Sequence, residues 1–111
     1  MILSYAKEGD VMRLTISGKV EEKAHNDELH ELVEQWIGQK EKLFIIDLSD
    51  CRYCNSATLR EFLILGKTAK AMNGKLHFVG VKAMLLEIFE LSNFQAIFPI
   101  FDTMQEAVDS M

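Results

Sequence analysis

Proline is nearly absent. Pro99 is the only one, and no linker rich in Pro, Gly or Ser breaks the 111 residues. The chain therefore reads as a single domain, 1–111, with one core. Long apolar runs are missing too. The longest, Leu43 to Ile46 and Phe62 to Leu65, are far too short to cross a bilayer. Met1-Ile2-Leu3 is followed by Ser4, Lys7 and Glu8, which is not the layout of a signal peptide. A cytoplasmic protein without membrane insertion is expected.

Basic charge is also short: 12 Lys and Arg stand against 17 Asp and Glu, a net charge of -5. An acidic surface repels phosphate backbones, so no direct nucleic-acid ligand is expected. No Gly-rich phosphate loop is present, since Gly74 and Gly80 are isolated. His25, His30 and His77 lie at no ligand spacing and suggest no nucleophile with its base. The expectation is a protein with no enzyme activity, no cofactor and no metal site.

What is present is patterning. Apolar residues make up 49% of the chain, which fits a globular protein. Residues 2–7 and Val11 to Ser17 read as two strands around the turn Glu8-Gly9-Asp10, the second with clear alternation. Leu29, Leu32, Val33, Trp36 and Ile37 form one stripe of a helix over Ala24 to Gln39. Leu43 to Leu48 is a continuous apolar run that suits a strand covered on both faces. Ser49 to Tyr53 reads as a loop. A helix begins at Asn55 with a buried stripe of Leu59, Phe62, Leu63, Gly66 and Ala69, and Asn73-Gly74 stops it. Ile64 and Leu65 widen that stripe; they either bury fully or leave an apolar patch beside Ser56.

Lys75 to Gly80 alternates as a strand, and Ala83 to Leu91 is a short helix with Leu85, Ile88 and Phe89 inward. Ile97 to Phe101 reads as a last strand, imperfect because of Pro99. Asp102 or Thr103 caps a final helix, Met104 to Met111. The order is ββαβαβαβα, an α/β class with a mixed sheet of four to five strands packed by about four helices.

Two motifs carry possible chemistry. Ser56 follows a central strand and opens a helix, where free N–H groups and a partial positive charge favour a phosphate. The plainer alternative is that it only starts the helix. Cys51-Arg52-Tyr53-Cys54 has the spacing of a redox pair, although the residues between the cysteines are large; as zinc ligands, two cysteines supply half a site.

The stretch Leu43 to Leu65, with Asp47-Leu48 ending a strand and Asn55-Ser56-Ala57-Thr58-Leu59 opening a helix, resembles the signature of the STAS family. Leu14 to Gly18, Asn73 to Leu76 and Phe98 to Val108 resemble further segments of that family in the right order. The family includes bacterial anti-sigma-factor antagonists. The resemblance implies a STAS-like fold with Ser56 as phosphoacceptor and Asn55 as helix cap. Ala57, Thr58 and Arg60 then form a contact rim, with Glu21 at an acidic position nearby.

By the same resemblance, the partners are a GHKL-type serine kinase that acts as anti-sigma factor and a PP2C-type phosphatase. Asn55 replaces the usual Asp and Thr58 the usual Gly. Two other readings stay open: a scaffold subunit of a lipid-transport or stressosome-type assembly, and a thiol redox protein built on Cys51 and Cys54.

Overall fold

Alternation along the second strand determines which face of the sheet is filled first. A computed structural model describes residues 1–111. β1 (Ile2–Glu8) and β2 (Val11–Val20) form an antiparallel hairpin. Met12, Leu14 and Ile16 of β2 are buried on one face, while Val11, Arg13 and Thr15 take the other. β2 then pairs in parallel with β3 (Leu43–Asp47), β3 with β5 (Lys75–Val79), and β5 with the short β6 (Ile100–Phe101). The sheet order is β1-β2-β3-β5-β6.

Three helices cover the first face: α1 (Lys23–Gly38), α2 (Ser56–Ala71) and α3 (Ala83–Leu91). Leu29, Leu32, Val33 and Trp36 of α1 are buried there with Phe44 and Ile46 of β3 and Leu76 and Phe78 of β5. α4 (Met104–Asp109) covers part of the opposite face, where Ala107 packs on Ile45 and Val79. β3 is thus enclosed on both sides, as its unbroken apolar run predicts. Thr103 and Glu106 close a reciprocal capping box at the start of α4.

The expected α/β class and order hold, with one strand added. Cys51–Cys54 is a strand, β4, and not part of a loop. It pairs in parallel with Gly18, Lys19 and Val20 of β2. β3 ends opposite Thr15, so the last turn of β2 has a free edge, and β4 takes it. Gly18 makes the change of partner possible. Its φ of +85° is a backbone state that side chains resist, and its N–H donates to Asp50 O at 2.9 Å.

Two other boundaries moved. Phe94–Ala96 forms a 3-10 turn, and only Ile100–Phe101 of the expected last strand pairs. Pro99 has no N–H to give a ladder. In α2, Thr58, Glu61, Phe62, Leu65, Gly66 and Ala69 are buried, whereas Leu59, Leu63 and Ile64 are only partly so. Of the two residues that widen the stripe, Leu65 is buried and Ile64 only partly so.

Candidate functional site at the start of the second long helix

The parallel strands β2, β4 and β5 all end on one rim. Three connections leave it, into α1, α2 and α3. Between them lies an open groove of about 660 Å³. Lys19, Arg52 and Lys82 line it, with Glu21 and Asn55. None of these three cations makes an ion pair. A locally basic groove thus sits on an acidic molecule.

Asn55 joins the sheet to the helix. Its N–H donates to Val20 O at 3.1 Å, the last sheet bond on that side. Its backbone is extended, and its Oδ1 accepts from Thr58 N–H at 3.1 Å. That is an N-cap, which satisfies one donor of the first turn. The same Oδ1 accepts from Asn26 Nδ2 of α1, also at 3.1 Å. The Thr58 hydroxyl lies 2.8 Å from Asn26 Oδ1 and 3.0 Å from Asn55 Oδ1, and shares its single proton between them.

The cap therefore rests on a three-residue network spanning α1 and α2. Asn26 had no signal in the sequence beyond its place on the polar face of a helix. Thr58 is fully buried. Its expected place on a contact rim is corrected: the first turn points this side chain at α1, where it positions Asn55.

Ser56 comes next. It is the first residue of α2 and is exposed. Because Asn55 takes the capping role, the Ser56 hydroxyl makes no hydrogen bond within the chain. The N–H groups of Ser56 and Ala57 have no acceptor inside the helix. Ala57 is half-buried, and Arg60 is exposed one turn further on. Glu21 is exposed at the groove wall. The structure brings Ser56, Asn55, Ala57, Arg60 and Glu21 to one end of the sheet.

Behind this surface, α1 and α2 are joined again. His30 Nδ1 lies 3.0 Å from both carboxylate oxygens of Glu61, which is buried. The hydrogen bond to Glu61, then the charge of that carboxylate, hold the His30 pKa above its ordinary value. The signal for this pair was a glutamate on an otherwise buried stripe.

Cys51 and Cys54 lie in β4, not at the helix start, with Sγ atoms 3.7 Å apart. No group of three or more His, Cys, Asp or Glu side chains is arranged to hold a metal ion. No helix is long and apolar enough to cross a membrane.

Comparison with known proteins agrees with this layout. The chain is 29% identical over 84 residues to BtrV of Bordetella bronchiseptica, named as an anti-sigma factor antagonist; the match covers 76% of this chain and 72% of that protein. Its fold superposes on a Thermotoga maritima protein also named as an anti-sigma factor antagonist, with TM-score 0.89 at 19% identity, covering 97% and 92% of the two chains. The Bacillus cell-fate determinant SpoIIAA in its phosphorylated form gives TM-score 0.79 at 13% identity, covering 98% of each chain. The same SpoIIAA is known unphosphorylated. At the level of sequence, the STAS domain pattern matches residues 4–107, a span that includes Asn55 and Ser56, and the chain belongs to the STAS domain family.

Proposed function

We propose that this chain is a phosphorylation-controlled docking module of the anti-sigma-factor antagonist type, with Ser56 as its phosphoacceptor. The observation that carries the reading is the uncommitted Ser56 hydroxyl, exposed at the first turn of a helix whose cap is already supplied by Asn55. SpoIIAA, a structural neighbour, exists in phosphorylated and unphosphorylated forms. The unphosphorylated rim, with Ala57, Arg60 and Glu21 around Ser56, binds a GHKL-type serine kinase that serves as anti-sigma factor. That kinase transfers a phosphoryl group from ATP to Ser56, and a PP2C-type phosphatase removes it. Both partners place the protein in the cytoplasm.

The chemistry follows from charge and desolvation. A serine hydroxyl enters an interface at little cost. A phosphate adds about 1.5–2 negative charges and resists burial without basic partners. The module binds and releases; it does not catalyse.

The test is phosphoryl transfer itself. With cognate kinase and ATP, intact mass should show one phosphate on the wild type and none on Ser56→Ala. Phosphate retained by the Ala variant contradicts the assignment.

A further inference from the structure

Arg52 is the residue that β2 skips. Gly18 pairs with Cys51 and Lys19 with Tyr53, so β4 carries one extra residue, a bulge. In a regular strand, residues three apart point to opposite faces. The bulge removes that alternation, and Cys51 and Cys54 both turn inward as buried free thiols, their Sγ atoms 3.7 Å apart. Their surroundings differ. Cys51 forms part of the groove wall, beside Asn55, Arg52 and Lys82. Both cysteines belong to the main core, but Cys54 does not line that groove.

We propose that Cys51 and Cys54 are a redox modification site in the groove wall, which low-molecular-weight disulfides of the glutathione class convert to an intramolecular disulfide, and that its closure shifts the Asn55 cap. The step balances. The Cys51 thiolate attacks one sulfur of the small disulfide, forming a mixed disulfide and releasing one small thiolate. Cys54 gives up its proton and attacks the Cys51 sulfur, expelling the second small thiolate. The two protein thiols lose two electrons, the small disulfide gains them, and the two thiol protons end on the two released thiols.

The order of attack follows from the site. The hydrogen bond from Cys54 holds the Cys51 thiol below its ordinary pKa. The bond to Cys51, then burial, push the Cys54 thiol up. The groove-side sulfur is thus the nucleophile, and the core-side sulfur resolves.

Closure has a consequence one peptide bond away. The sulfurs must approach from 3.7 Å to a bond length of about 2.05 Å. The Cys51 thiol also gives up its contact with Tyr53 O at 3.6 Å. Cys54 is followed directly by Asn55, whose N–H and Oδ1 anchor the start of α2. The meaning of that shift for docking rests on the reading of Ser56 above; the thiol chemistry does not.

The experiment uses the full chain, reduced, incubated folded with oxidised glutathione, then unfolded in denaturant, blocked with a maleimide and weighed intact. Two maleimides are expected on the reduced protein. After oxidation none is expected, with the mass of two hydrogens lost. Cys54→Ser, or Cys54→Ala if serine unfolds the core, should trap one glutathione on Cys51. Persistent glutathione on the wild type, two thiols still free, or disulfide-linked dimers each overturn the site.

Backbone and side-chain amide NMR signals of Asn26, Asn55, Ser56 and Thr58 should shift on oxidation. If the disulfide forms and these signals stay fixed, the coupling to the cap is overturned. Neither readout involves the kinase, so failure here is distinct from a Ser56→Ala variant that still accepts phosphate.

Discussion

A hydroxyl that caps a helix must give up a hydrogen bond before it can be phosphorylated; a hydroxyl one residue later gives up none. Ser56 is in the second situation because Asn55 is the cap. Asn55→Ala removes that cap and strands Asn26 and Thr58, so it should lower stability by about 1–2 kcal/mol, measured by urea unfolding. Thr58→Val keeps the shape and deletes the shared proton. It should cost about 1 kcal/mol.

At this scale the sequence was readable in type but not in partner. Asn55 as cap and Ser56 as helix start follow from residue chemistry. The Thr58–Asn26 contact depends on how α1 lies against α2, and no local pattern encodes that.

Between elements, two junctions decide whether the rim is held in place. The first is the splice of β4 onto β2 at Gly18. An added Cβ there meets only Met1 backbone at 3.8 Å or beyond, so space is available and only the φ of +85° resists. Gly18→Ala should therefore destabilise by about 1–2 kcal/mol, with the change seen in the denaturation midpoint. Such a splice is hard to read in a sequence. β4 has four residues, and it pairs only because β3 stops short of the end of β2. The long periodic elements, β2, α1 and α2, were legible because burial repeats along them.

The second junction is His30 with Glu61. The folded pKa of His30 lies above its unfolded value of 6.5. Its contribution to stability is full below 6.5 and is lost as pH rises through the raised pKa. His77 acts in the opposite sense: burial lowers its pKa from 6.5, so its contribution is present above that value and lost as pH falls through the lowered one. Unfolding followed against pH should show the fall on the alkaline side flatten in His30→Gln, with the acid side unchanged.

For the whole molecule, the uneven placement of helices determines where function can sit. Three helices cover one face and α4 part of the other, so the strand ends form the open rim. The chain carries a net charge of -5, and a phosphate on Ser56 would make it more negative at the surface proposed to meet the partner. Arg52, Lys19 and Lys82 line the groove that Asn55, the residue before that serine, also lines, and none of them is held in an ion pair.

The direct measurement is the affinity of the proposed anti-sigma kinase for the module before and after enzymatic phosphorylation, by isothermal titration. The proposed switch requires at least a tenfold loss on phosphorylation, about 1.4 kcal/mol, reproduced in direction by Ser56→Asp. Equal affinity for the two forms would contradict it.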